Sequence, residues 1–156
     1  MAEIAFQGEE AKAYLKKLIK NSAKIAGGVQ AYGALLSSVV FSDIISHFEN
    51  QQGSEGPWKS WSSAYANHMN KIGKSGNMIL QDTGRLRQSF TPASFRQVND
   101  GILWFNPAKT ASGFPYAAAH DEGGPKLPKR DFMWLSDEAK ERLEEVTLKF
   151  LEEEDG

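Results

Sequence analysis

The stretch that most constrains the fold is an apolar helical pattern running from Val29 to Glu49. Its apolar residues recur at intervals of three and four, as they do on one face of a helix. The run "LLSSVVF" at residues 35–41 widens this face to more than half of the circumference. We therefore expect the helix to be buried on two sides or against another subunit. The stripe consists of Tyr32, Leu36, Val39, Val40, Ile44 and Phe48.

Helical patterns also occupy both ends of the chain. From Glu9 to Ala26 the apolar residues favour one face, and Gly27-Gly28 is a suitable helix stop because glycine adopts the left-handed conformation of a C-cap. Near the other end, Ser136 is a suitable N-cap, with Asp137 and Glu138 in the favoured first turn. The last helix has the stripe Leu135, Ala139, Leu143, Val146 and Phe150 and the expected ion pairs Glu138–Arg142 and Glu145–Lys149.

Between Phe95 and Asn106 the pattern changes to two apolar runs around Asn99-Asp100-Gly101, which predicts a β-hairpin. Prolines at 125 and 128 then favour an extended segment before the last helix. The element order predicts an α+β fold, with helices packed on a small, mostly antiparallel sheet and a long C-terminal amphipathic helix. We assign a single domain to residues 1–156, with 1–30 as an N-terminal helical extension and 66–80 as a flexible loop.

Composition and charge exclude several classes of protein. The chain has 156 residues and no cysteine, which rules out disulfides and thiolate metal sites and fits a reducing cytosol. No apolar run approaches the 18 or so residues of a membrane span, and the N-terminus does not resemble a secretory signal. The net charge of −2 argues against a protein that mainly coats nucleic acid. The charge is polarised, with basic residues in the middle of the chain and an acidic end, "EEEDG".

The motifs that suggest catalysis are weak. Gly73-Lys74-Ser75 resembles the end of a phosphate-binding loop, but His68 stands where that motif needs glycine. His120, Asp121 and Glu122 are all metal-capable, although adjacent residues on a helix point in different directions. No serine lies in a GxSxG elbow. We keep a small metal-dependent hydrolase, using His120 with Asp121 or Glu122, as the alternative to a structural role.

Tryptophans and basic residues suggest binding surfaces. Trp58 and Trp61 flank a glycine- and proline-containing loop, where they are candidates for interface anchors. Trp104 and Trp134 are expected in the core. A weaker hypothesis is nucleic-acid binding by the basic residues Lys71, Lys74, Arg85 and Arg87.

Four segments in a fixed order are similar to a known family. They are "EGPWKSW", "LQDTGRLRQSF", "PYAAAHDEGG" and "LPKRDFMWLS". Between an apolar helix and a terminal amphipathic helix, this series resembles the phage virion morphogenesis family, the tail completion proteins of Mu-like and related tailed phages. The resemblance covers roughly residues 35–151. It departs from the family pattern at Gly56-Pro57, where proline and glycine are exchanged, and at Met133, where leucine is usual.

The resemblance implies a structural virion protein with no catalytic residues, cofactor or metal. Such a protein would complete or terminate the tail, or join head to tail, as a ring in the neck or at the head-proximal end of the tail. By analogy the ring is a hexamer that assembles in the host cytoplasm. Its partners would be its own copies, the tail tube and sheath, and the head–tail connector, with no membrane. DNA would pass non-specifically through the ring.

The same resemblance suggests roles for individual residues. In "DTGRLRQSF", Thr83-Gly84 would set a turn with a positive φ at Gly84, Leu86 and Phe90 would enter the core, and the two arginines would face a neighbour's carboxylates. Tyr116 and His120 would fix a loop over the sheet, and Arg130 would pin the chain before its last strand. The expected interface residues are Trp58, Trp61, Arg85, Arg87, Glu152, Glu153 and Glu154. The expected structural residues are Gly84, Leu86, Tyr116, His120, Gly123, Arg130 and Phe132.

Overall fold

The computed structural model describes residues 29–91, 94–98 and 101–153, together with residues 13, 16, 20, 22 and 23, which are helical. The protein has the predicted mixed α+β fold. Parts of the first predicted helix, its Gly27-Gly28 stop, the Asn99-Asp100 turn and Glu154 lie outside the described residues. From Val29 onward the elements are α1 Val29–Asn50, β1 Gln52–Gly53, β2 Gly56–Pro57, α2 Ser63–Lys71, α3 Arg85–Gln88, β3 Phe95–Val98, β4 Gly101–Trp104, α4 Tyr116–Glu122 and α5 Asp137–Glu152.

Helix α1 carries the centre of the core, as its apolar stripe predicts. Leu36, Val40, Ile44 and Phe48 are buried on successive turns of one face. The ring of Phe48 lies 5.1 Å from that of Phe132, centroid to centroid. Helix α1 contacts α5, β1 and β3, so much of its wide apolar surface is covered within the chain. Each large side chain buried in this way contributes about 1.5–3 kcal/mol.

Helix α5 is held against α1 at both ends. Ser136 is its N-cap, as predicted: its Oγ accepts a hydrogen bond from the Ala139 N–H at 3.1 Å. The carboxylate of Asp43 on α1 accepts from the Ser136 N–H at 2.9 Å and from the Ser136 hydroxyl at 2.6 Å. Farther along, the Tyr32 and Phe150 rings lie 5.2 Å apart. The two helices are therefore joined by polar contacts at one end and by aromatic packing at the other.

The ion pairs on the exposed face of α5 differ from the predicted ones. Arg142 pairs with Glu145 at 3.2 Å, and Lys140 lies 3.7 Å from Asp137. Both are i,i+3 pairs, whereas Glu138–Arg142 and Glu145–Lys149 were expected at i,i+4. Exposed pairs of either spacing stabilise the fold by only about 0.3–0.5 kcal/mol. Small differences in side-chain rotamer therefore decide which pairs form.

Two small antiparallel ladders replace the single sheet that the sequence suggests. Strands β3 and β4 form the predicted hairpin, with Phe95 opposite Trp104 and Val98 opposite Gly101. Strands β1 and β2 form a separate ladder that sequence reasoning missed. It is fixed by Asp131, whose carboxylate accepts hydrogen bonds from the Ser54 N–H and hydroxyl.

The extended segment predicted around prolines 125 and 128 does not become a strand of a sheet in the described residues. An isolated bridge between Gly124 and Leu127 lies at its start, and the rest of the segment before α5 pairs with no strand. Side chains hold this segment in place of a ladder. The Asp121 carboxylate accepts from the Phe132 and Met133 N–H groups, both at 2.8 Å. Prolines at 125 and 128 cannot donate to a ladder, which explains why side-chain acceptors take its place.

Part of the predicted flexible loop 66–80 is helical. Residues 66–71 belong to α2, whose N-cap Ser62 accepts from the Tyr65 N–H at 3.2 Å. The chain then makes turns, with Gly73 at a φ of +75°. No helix in the described part of the chain is long and apolar enough to cross a membrane.

Candidate functional site

An open cleft of about 1210 Å³ lies between α2, α3, α4 and the loops at 59–62, 109–111 and 124–128. Its walls include the apolar and aromatic residues Trp61, Tyr65, Met69, Met78, Leu80, Leu86, Tyr116 and Leu127. Its charged lining residues are Lys59, Arg85, Lys109, Lys126 and Arg130, with the one carboxylate of Asp82 among those described. We call this feature the cationic cleft.

The segment "DTGRLRQSF" builds one wall of the cationic cleft. Gly84 has a φ of +71°, the positive value predicted for the turn, and is the N-cap of α3. Leu86 is buried in the core, as predicted, and Phe90 packs against it. Because residues two apart on a helix point to nearly opposite sides, Arg85 and Arg87 separate. Arg85 lines the cleft, whereas Arg87 points away from it.

Of the two arginines that were expected to face a neighbour's carboxylates, Arg87 is paired within its own chain. The Arg87 guanidinium forms an ion pair with Glu49 of the same chain at 2.6 Å and also donates to Gln81. Arg87 is therefore committed to tying α3 to the end of α1. Arg85 is exposed, and the described residues place no carboxylate within ion-pair distance of it.

The charge of the cleft is positive although the protein carries a net charge of −2. The cleft's carboxylate, Asp82, is already bound to Lys74 at 2.7 Å and to the Asn77 amide at 3.0 Å. By contrast, the ammonium groups of Lys59, Lys109 and Lys126 have no hydrogen bond or ion pair to any described residue. Four exposed cations, counting Arg85, thus surround an apolar floor and have no ion-pair partner among the described residues.

Arg130 fixes the base of the cleft. It is buried, with its Nε donating to the Lys59 carbonyl at 2.8 Å and its Nη2 to the Ser60 carbonyl at 3.2 Å. Its backbone N–H donates to the His120 carbonyl at 2.9 Å. Arg130 therefore joins three separate parts of the chain, instead of pinning a last strand as expected.

His120 and Tyr116 lie on α4 and face the cleft. The resemblance had instead implied that they fix a loop over the sheet. His120 is half-buried, and burial lowers its pKa, with the nearby Arg130 guanidinium lowering it further. Its buried Nδ1 has no hydrogen-bond partner among the described residues. A neutral imidazole is therefore favoured at neutral pH.

The metal-dependent alternative has no ligand set in the described structure. The Asp121 carboxylate is occupied by two backbone N–H groups of the segment before α5. Glu122 is exposed. Within the described residues no three His, Asp or Glu side chains come together as a metal site would require.

The tryptophans divide differently from the prediction. Trp58 is 6% exposed and packs edge-on against Phe48, with its Nε1 donating to the Asp131 carbonyl at 2.9 Å. It is therefore a core residue and not an interface anchor. Trp61 is half-buried at the edge of the cleft, where its ring meets Tyr65.

The other predicted core tryptophans pack against α1. Trp104 Nε1 donates to the Ser37 hydroxyl at 2.8 Å. Trp134 stacks on the His47 ring at 3.7 Å. Both rings are partly buried, in agreement with the prediction.

The remaining predicted residues lie outside the cleft. Gly123 ends α4 at a φ of +71°, where a Cβ would come within 2.7 Å of the Lys129 backbone. Phe132 is fully buried. Glu152 ends α5 and Glu153 is its C-cap; both are exposed and neither lines the cleft of its own chain. Sequence reasoning missed Lys59, Lys109 and Lys126, because no local pattern connects lysines 17 to 67 positions apart.

The family model of phage virion morphogenesis proteins matches residues 7–152. The chain belongs to the phage virion morphogenesis family. The match also covers residues 7–34, which lie before the four segments that carry the resemblance in the sequence. No curated protein and no solved structure matches the chain significantly. Membership in this family indicates that the protein takes part in building the virion and is associated with it. A structural role is therefore favoured over a catalytic one.

Proposed function

We propose that this protein completes or terminates the phage tail, or joins head to tail, by assembling as a ring in the neck or at the head-proximal tail end. The observation that carries this proposal is the cationic cleft. It is open, it has an apolar floor, and its four exposed cations have no partners among the described residues. These are features of a surface that docks another protein.

A ring places a definite demand on each subunit. Subunits that repeat around a ring contact one another head to tail, so each must present two different surfaces that are complementary. The cleft, with Arg85 and Trp61, is one candidate surface. The acidic end of the chain, with Glu152 and Glu153, is the other. By analogy with the family's tail proteins the ring is a hexamer, and DNA would pass through it.

Partners follow from this position in the particle. One face of the ring would meet the tail tube and sheath, and the other the head–tail connector. Such joints need surfaces beyond the subunit contact. The exposed apolar side chains Leu35, Ile72, Phe114 and Leu148 are candidates for them.

Disruption of the gene in the phage tests this proposal. We expect lysates with filled heads and separate tails, or with tails of irregular length, and restoration by the wild-type protein supplied in trans. Electron microscopy of the lysates and of the purified protein supplies the readout. Normal particles in the absence of the protein, or virions that do not contain it, would overturn the proposal.

A further inference from the structure

We propose that the cationic cleft of one subunit receives the acidic segment at residues 153–155 of a neighbouring copy. This inference rests on the proposed ring and names the contact that closes it. The segment consists of Glu153, Glu154 and Asp155, directly after α5. It would bring three carboxylates to a surface whose four cations have no ion-pair partner in the described part of the chain.

The charges on the cleft point to a protein segment. Lys59, Arg85, Lys109 and Lys126 line it, and no described carboxylate lies within ion-pair distance of them. The cleft's own carboxylate, Asp82, is taken by Lys74. An acidic ligand therefore meets cations that have no ion pair with the described residues.

The cleft floor favours a polypeptide over a polynucleotide. Trp61, Met78 and Leu80 offer apolar surface to the aliphatic parts of a peptide. Of the basic residues outside the cleft, Lys74 and Arg87 are paired with Asp82 and Glu49, which removes two cations from any track for a phosphate backbone. Nucleic acid would need a longer run of available cations.

The backbone after α5 suits this docking. Glu153 leaves the helix with a φ of −58° and a ψ of 129°, which is extended geometry. Bound in an extended conformation, the segment would advance about 3.5 Å per residue and direct successive side chains to alternate sides, so its carboxylates could reach cations on both walls of the cleft. Because Glu153 does not line its own cleft, the contact we propose is between copies and runs head to tail.

A labelled peptide of residues 146–156 tests recognition directly. We expect it to bind the full-length protein in fluorescence anisotropy, with affinity that falls as salt rises. The matched control peptide carries glutamine, glutamine and asparagine at 153, 154 and 155, and we expect at least about tenfold weaker binding. Arg85→Glu combined with Lys109→Glu should weaken the native peptide equally, whereas Lys140→Glu on the exposed face of α5 should not.

Charge exchange between copies tests the contact in the assembly. One variant carries Lys59→Glu, Arg85→Glu, Lys109→Glu and Lys126→Glu; the other carries Glu153→Lys, Glu154→Lys and Asp155→Lys. In either variant alone, like charges face each other, so we expect monomers in native mass spectrometry. Mixed together, the two variants have complementary contacts at every joint of an alternating ring with an even number of subunits, so we expect assembly to return.

The outcomes separate this inference from the proposed function. Rings formed by both variants alone, or a mixture of folded variants that stays monomeric, would overturn the inference while leaving a tail role to the phage experiment. Displacement of the peptide by a random single-stranded oligonucleotide at equal charge would also overturn it. Circular dichroism and urea unfolding of each variant exclude loss of fold as the cause.

Discussion

At Gly84 the backbone makes the turn that begins α3, the helix that carries both arginines. Its φ of +71° is a conformation that non-glycine residues rarely adopt, and a Cβ there would lie 3.3 Å from the Gln88 amide nitrogen. The side chains of Asp121 and Arg130 also fix the backbone, through hydrogen bonds to other segments. Each binds backbone groups of a distant segment, so each fixes chain geometry that no local hydrogen bond supplies.

Substitution of Gly84 tests the turn. We expect Gly84→Val to lower the free energy of unfolding by about 1–3 kcal/mol, because a β-branched residue is strained at positive φ. Gly84→Asn is the matched control, since asparagine tolerates this region, and it should lose less. Urea unfolding measures both. A valine variant as stable as the wild type would contradict the role of this turn.

His120 makes stability depend on pH. Burial and Arg130 lower its pKa in the folded protein below the ordinary value of 6.5. As pH falls through that value the unfolded chain takes up a proton first, so the folded state loses stability; above it the contribution is complete. We expect urea midpoints to decline between pH 7 and 5 and the decline to be shallower in His120→Gln. Parallel curves for the two proteins would show that His120 is not responsible.

At the scale of elements, one carboxylate on α1 fixes the position at which α5 begins. Asp43 accepts both the N–H and the hydroxyl of Ser136, and the same hydroxyl oxygen caps α5. Helix packing and helix capping are thereby coupled through a single pair of side chains. Apolar burial supplies the bulk of the attraction between the helices, while this pair sets where α5 starts.

A double-mutant cycle tests that coupling. We expect Asp43→Ala and Ser136→Ala each to cost about 1–2 kcal/mol of stability, and the double variant to cost less than their sum. The coupling energy should be at least about 0.5 kcal/mol. Ser38→Ala, which removes an exposed hydroxyl on α1, is the control and should change little. Strict additivity would mean that the two side chains act independently.

At the scale of the whole molecule, the arginines of "DTGRLRQSF" have different tasks. Arg85 faces the cationic cleft with no carboxylate of the described residues within ion-pair distance, while Arg87 is paired with Glu49. The fold thus uses Arg87 for internal structure and leaves Arg85 exposed in the cleft. The cleft itself collects residues from 59 to 130, so its integrity depends on the packing of most of the domain.

Charge reversal separates the two roles. We expect Arg85→Glu to leave the unfolding free energy unchanged within about 0.5 kcal/mol and to weaken assembly. Arg87→Glu should lower stability by up to about 1 kcal/mol, because it loses a partly exposed ion pair and faces Glu49 with a like charge. Urea unfolding and native mass spectrometry of both variants provide the comparison. Equal effects of the two substitutions on both quantities would contradict the assignment.

The sequence by itself determined the elements whose signals are local. The stripe of α1, the Ser136 cap, the β3–β4 hairpin and the positive φ of Gly84 depend on neighbours within a few positions, and the structure confirms each. The order of four segments also identified the family, since ordered motifs survive where single ones are weak.

Only the tertiary structure decided which side chains meet. Trp58 lies in the core because its ring packs against Phe48 and its Nε1 donates to the Asp131 carbonyl. Arg87 pairs with Glu49, which lies 38 positions away in the sequence. The lysines of the cleft lie in three separate loops. Such partnerships depend on how distant segments pack, and no periodicity, cap or turn residue encodes them locally.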